Sequence, residues 1–233
     1  MSKERPILFS APMVMALLDG SKTQTRRIVK PPRDYFSEYL GDIHDGGIGH
    51  FFGKPYSPEY CDVRCPYGSV GTRLWVRESW RIGAWNEDEE QIAVDYMADG
   101  FARKEWLDVP LDERDLFSRL WKQSTDDAIK AGIKRDFFDE YHWEPVQSPC
   151  RVRPSIFMPR WASRITLEIV SVRVERLNDI SEADAGAEGC FALGDCECTA
   201  KRQYQMLWES INGAGSWDAN QWVWVIEFTR LQP

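Results

Sequence analysis

Gly20-Ser21-Lys22-Thr23-Gln24-Thr25-Arg26-Arg27 places three cations and three hydroxyls directly behind a helix stop. The residues before it predict a short helix. Ser10 is its N-cap, Pro12 sits in the first turn where a missing N–H costs nothing, Val14, Leu17 and Leu18 share a face, and Gly20 is a left-handed stop. Lys22 is therefore positioned by a rigid element, in a loop able to hold an anionic or carbonyl-bearing ligand.

A chain of 233 residues with 43% hydrophobic and 13% aromatic residues can bury a core without help. Neither a signal peptide nor a run long enough for a membrane span is visible, so a cytoplasmic, soluble protein with no membrane partner is expected. The net charge of -8 argues against a surface that coats nucleic acid, but its distribution is uneven. Residues 86 to 140 hold 16 acids against 8 bases, while 20 to 33 carry five bases and no acid, and 145 to 167 four arginines and no acid. Two basic segments thus survive in an acidic chain. They are solvated strand ends and salt-bridge partners, or they line a phosphate-facing cleft.

Further along, residues 33 to 68 show little periodicity and read as a long irregular excursion. Leu74-Trp75-Val76 reads as a strand into packed surroundings, with Arg77 and Glu78 at its end. The acidic stretch from about 81 to 150 reads as a helical insert, a lid on a single domain spanning 1–233. Its helical signals are Leu111-Asp112 opening toward Leu116, Leu120 and Trp121, then Ser124 with Asp127 as a capping pair before Ile129 and a stop at Gly132. Ile165 to Ile169 alternates as a strand, and Val170, Val172 and Val174 continue with the phase slipped by one, which implies a bulge near Ile169-Val170. Ser181 caps a helix stopped by Gly189. Tyr204, Leu207, Trp208 and Ile211 form a core stripe on another, and Trp222, Trp224, Ile226 and Phe228 share one face of a last strand. The inventory is α+β.

The order of motifs carries more. Gly-x-Lys-Thr-x-Thr-x-Arg after a short helix, Ile180-Ser181-Glu182-Ala183-Asp184-Ala185-Gly186-Ala187-Glu188-Gly189, and terminal Trp222-Val223-Trp224-Val225-Ile226-Glu227-Phe228 resemble an ASCH domain of the PUA-like superfamily. Pro66-Tyr67-Gly68, Leu74-Trp75-Val76-Arg77-Glu78 and Met158-Pro159-Arg160-Trp161-Ala162-Ser163-Arg164 further resemble a subgroup often encoded by bacteriophages and prophages. The resemblance implies a small mixed β-barrel with flanking helices. In the small ASCH enzymes that hydrolyse acetylcytidine, the lysine and threonine of this motif and a glutamate near a helix end are catalytic. Motif by motif, those roles fall on Lys22, Thr25 and Glu188. The acidic insert and the Gly189-Cys190 continuation depart from that pattern.

The residues themselves suit such chemistry. A lysine works as nucleophile or base only as the neutral amine, which the charges of Arg26 and Arg27 and partial burial favour. Thr25 can orient it or relay a proton, and Glu188 can carry protons to a leaving amine. Arg27, Arg77, Arg160 and Arg164, with Trp161 between the last two, suit contacts to phosphate and a stacked base. Alternatively, the arginines brace a buried tryptophan. The expected partner is a modified nucleoside or short single-stranded nucleic acid, with no cofactor. A zinc site is a poor fit: Cys61 and Cys65, Cys196 and Cys198, and His44 and His50 lack knuckle spacing. Three functions compete: an amidohydrolase on an acylated cytosine nucleoside, a non-catalytic binder of modified bases or RNA, and a ribonuclease. The acidic insert favours a small substrate, since it repels a phosphate backbone.

Overall fold

The computed structural model describes residues 4–30, 38–44, 47–52, 60–86, 89, 91–101, 104–144, 146–191 and 199–232. In chain order the elements are β1 (Glu4–Leu8), α1 (Ala11–Leu18), β2 (Gln24–Ile28), β3 (Glu38–His44), β4 (Ile48–Phe52), β5 (Tyr60–Arg64), β6 (Arg73–Arg77), β7 (Trp80–Asn86), β8 (Gln91–Tyr96), β9 (Lys104–Asp108), α2 (Arg114–Lys130), β10 (Thr166–Arg176), α3 (Glu182–Ala187), α4 (Ala200–Asn212) and β11 (Trp222–Leu231). The fold is α+β. One five-stranded sheet runs β1-β6-β10-β11-β2, and β3-β4-β5 and β7-β8-β9 form two three-stranded sheets. The five-stranded order begins at β1 and ends at β2, with no pairing that closes it among the described residues.

The chain divides into two compact units, one of residues 1–6, 16–75 and 165–233, the other of 7–15 and 76–164. In the first, β11 lies between β10 and β2 and is buried on both faces. Val223 and Val225 join the core of Leu177, Ile180, Tyr204 and Trp208, while Trp224, Ile226 and Phe228 are buried on the alternate face. The slipped phase in β10 is a real irregularity. Its register with β11 shifts between Ile169 and Ser171, leaving Val170 exposed while Ile169 and Val174 stay buried. Thr199 caps α4, which buries Ala200, Tyr204 and Trp208, but Ile211 at its end is exposed, so the expected stripe is one residue too long.

Residues expected to wander, 33 to 68, instead contain the antiparallel β3-β4-β5 sheet, with Gly47 turning the chain at positive φ between His44 and Ile48. A register shift between Tyr39 and Ile43 breaks the two-residue alternation, which is why the strand pattern is invisible to a periodicity count.

The second unit also corrects the helical reading of residues 81 to 150, whose described residues contribute β7, β8 and β9 besides one α-helix. Trp80, Ile82, Ile92, Val94 and Tyr96 pack with Leu120 of α2 and with Met158 and Ala162 into a core of their own. The helix is one 17-residue element, because Ser124 does not start a new one. Its hydroxyl donates to Leu120 O, four residues back, at 2.8 Å, while Asp127 is clasped by Arg151. At Gly83, the register of β7 and β8 shifts and a Cβ would lie 2.1 Å from Asp95 Oδ1. Asp95 cannot yield, being buried and paired to Arg81 at 3.2 Å. Gly83→Ala is therefore expected to lower the unfolding free energy by about 1–3 kcal/mol, read as a lower denaturant midpoint; an unchanged midpoint contradicts this packing.

Candidate functional site

Lys22 and Glu188 are brought together by three helix and strand ends in the first unit. Behind Gly20, the Lys22 N–H donates to Ala16 O (2.9 Å) and the Thr23 N–H to Ala187 O (2.8 Å), while the Phe228 N–H donates to Thr23 O (2.9 Å). Ser181 opens α3 by accepting from the Asp184 N–H, as its position predicts. Gly189, at φ 88°, closes it: the Gly189 N–H donates to Gly186 O and the Cys190 N–H to Ala185 O, a Schellman stop. Glu188 thus occupies the C-cap. A Cβ on Gly189 would approach Ala16 Cβ at 3.0 Å and Lys22 Cβ at 3.5 Å, so the stop is packed directly on the lysine stem.

The Lys22 ammonium donates to Glu188 Oε2 at 2.7 Å and to the Glu188 carbonyl at 2.8 Å. Both residues are nearly sealed, with 2% and 3% of their surface exposed. The cation also sits at the negative end of α3 and satisfies a carbonyl the helix leaves open. Burial lowers the proton affinity of Lys22 below the ordinary lysine value, and the Glu188 carboxylate only partly restores it; Arg27 adds to the lowering. The sequence-based expectation named burial and the charges of Arg26 and Arg27 together; burial leads and Arg27 contributes. Arg26 does not repel Lys22 so much as share its partner.

Arg26 lies in strand β2, not in a loop. Strand alternation puts Gln24 and Arg26 on the face that meets α3. Fully buried, Arg26 reaches Glu188 Oε1 (3.3 Å), Glu175 Oε2 (3.1 Å) and Asp184 Oδ2 (3.4 Å). Gln24 donates to Asp184 Oδ1 at 3.1 Å, and Arg173 ties Asp184, Glu175 and Glu227 together. Burial pushes the Asp184 carboxyl up, but bonds from Ser181 and Gln24 and the charges of Arg26 and Arg173 prevail and hold it low. The Cys190 thiol is pushed up to about 11 by burial and by Glu188, so it is no nucleophile at neutral pH. Sequence reasoning missed Arg26, Arg173, Glu175 and Asp184 as site residues, although the common parity of Lys22, Gln24 and Arg26 was a signal once the segment is read as a strand.

Thr25 points away from that face. It is fully buried opposite Ile226, and its hydroxyl has no hydrogen-bond partner among the described residues. Arg27 is half-buried, donating to Arg26 O, with Tyr67 6.0 Å from its guanidinium.

The other expected binding residues belong to the second unit. Arg164 makes a bidentate pair with Glu78 (2.9 and 3.0 Å) and reaches Asp99 (2.7 Å), stacked 3.9 Å over Tyr96. Its charge is already met. Trp161 donates to Glu113 Oε2 at 3.0 Å and meets Trp80 edge-on, so it packs as a brace on the core. Arg77 and Arg160 are half-buried, at the end of β6 and in a short turn over Arg160–Ala162.

For metals, Cys65 is a buried free thiol, while Cys196 and Cys198 and the side chains of Cys61, His44 and His50 lie outside the described residues. Asp136, Glu140 and His142 cluster on the surface, but Asp136 is engaged by the Phe138 and Glu140 N–H groups. No helix among the described residues is long and apolar enough to cross a membrane. No protein-family model, curated protein sequence or solved structure matches the chain.

Proposed function

We propose that the first unit is an ASCH-type, PUA-like domain and that Lys22 and Glu188 form the reaction centre of an amidohydrolase acting on an N-acylated cytosine nucleoside. The single observation that carries this reading is the 2.7 Å contact between a lysine whose proton affinity burial has lowered and a carboxylate able to accept that proton. Proton transfer from Nζ to Oε2 leaves a neutral amine and a neutral acid. The amine draws a proton from water, hydroxide attacks the acyl carbon, the C–N bond breaks, and Glu188 gives its proton to the leaving exocyclic nitrogen. Amide and water become carboxylic acid and amine.

Within this mechanism Arg26 is a positioning residue, holding Oε1 so that Oε2 faces Lys22. Thr25, fully buried and on the face turned away from the pair, takes no part in this step. Because the Lys22 side chain is shut off from solvent, the acyl group must displace side chains that cover it.

The same complete burial favours a second reading, in which the ion pair only braces β2 against α3 and the domain binds modified bases or short single strands without turnover. Incubating the protein with acetylcytidine and other N-acylated cytidines separates the two. The first reading expects release of acid and cytidine, and a loss of about 10²-fold or more in Glu188→Gln. Lys22→Arg is expected to be equally inactive, since guanidinium keeps its proton. An arginine variant that keeps the activity sinks the enzymatic reading.

A further inference from the structure

In the second unit, Arg153 is 7% exposed, and among the described residues its hydrogen bonds go only to neutral acceptors: Arg151 O at 3.4 Å and Gln123 Oε1 at 3.3 Å. Its guanidinium lies 5.4 Å from the Trp80 ring, and antiparallel backbone bonds between Trp80 and Arg153 (2.7 and 3.2 Å) fix it there. Burial lowers its proton affinity, the opposite of what a carboxylate partner would do. The nearby carboxylate, Asp127, is already engaged by Arg151. Asp127 attracts Arg153 from a distance but makes no direct ion pair with it, and a buried cation without a direct partner is costly unless something completes it.

Arg153 lines a cavity of about 410 Å³. Trp80, Leu116, Leu120 and Phe157 give it apolar walls, and Arg119 and Arg151 add two further cations, the second already paired with Asp127. The Arg119 Nε donates to Asp115 O, a neutral acceptor. Phe157 is exposed and rims the mouth. The volume suits a single nucleotide-sized molecule, and the lining pairs apolar surface with a few placed polar groups, as small-molecule sites do.

We infer that this cavity is a binding site for a small planar organic anion, its phosphate or carboxylate on Arg153 and Arg119 and its ring against Leu116 and Phe157. Charge complementarity selects an anion, and the apolar trough selects a ring. This site is independent of the reading given to Lys22.

Calorimetric titration of the full chain with cytidine 5′-monophosphate, benzoate, cytidine and inorganic phosphate tests it. At least one of the two ring-bearing anions is expected to bind about tenfold or more tightly than cytidine and than phosphate, since a charge-assisted bond and ring burial each contribute. Which of the two binds better identifies the acid group. Arg153→Met is expected to weaken binding about tenfold or more without lowering the melting temperature, because it removes a buried unpaired charge. Should that variant not fold, Phe157→Glu tests the same point from an exposed position and is expected to abolish anion binding. Absence of binding by both ring-bearing anions, equal binding of cytidine and its monophosphate, or wild-type affinity in Phe157→Glu overturns the proposal.

Discussion

Lys22→Met is expected to lower the unfolding free energy by about 3 kcal/mol or more, because it strands the Glu188 carboxylate in a sealed site. Arg26, 3.3 Å from the other carboxylate oxygen, keeps the loss near the lower end of the range for broken buried pairs. A lysine in a polar loop would have been removable at no such cost. The double variant Lys22→Met/Glu188→Leu is expected to recover most of the loss, since apolar groups of similar volume often replace a buried pair at little net cost. Arg26 then still has Glu175 and Asp184. Denaturant unfolding of the four proteins gives the coupling directly. Additive losses, with the double variant weakest, would mean that the two side chains do not act as a pair.

Arg164→Met is expected to cost about 3–5 kcal/mol. It leaves Glu78, 2% exposed, and Asp99 without their shared cation. Burial already raises the Glu78 carboxyl above its ordinary value, and Arg164 is what opposes that rise. Without the arginine Glu78 should take up a proton at still higher pH, so the variant is expected to regain more stability than the wild type as the pH falls toward 5. The check is the denaturant midpoint of each at pH 5 and 7. A variant as stable as the wild type at pH 7 would place Arg164 among groups free to meet a ligand.

Local signals in the sequence were legible where they rest on backbone chemistry. Gly20, Ser181 and Gly189 each stand at a helix end because only certain residues cap or stop a helix, and these fix the approach of Lys22 to Glu188. The bulge in β10 was legible because a one-residue slip reverses which side chains are buried. Long-range charge pairing was not. Nothing near Arg164 in the chain indicates that Glu78 lies opposite, 86 positions away, and an acid-free stretch looks the same whether its arginines meet phosphate or distant carboxylates. Lys22 does lie in the loop before β2, but its burial was hidden for a related reason: three hydroxyls and three cations look solvated until β2 is seen to place alternate ones against α3 and β11.

If burial outweighs the attraction of Glu188, Lys22 loses its proton below the ordinary value of 10.5. The unfolded chain then binds more protons than the native one between the folded value and 10.5. Stability from this group is full above 10.5 and is lost as the pH falls through the folded value. Nitrogen-detected NMR titration of lysine-labelled protein, with Lys22→Met assigning the resonance, measures that proton directly. The account requires the Lys22 ammonium to titrate below 10.5, with deacylation falling through the same pH range as the pair loses the proton that Glu188 must deliver. An ammonium that holds its proton to 10.5 or beyond would make Lys22 a structural cation and contradict its role in catalysis.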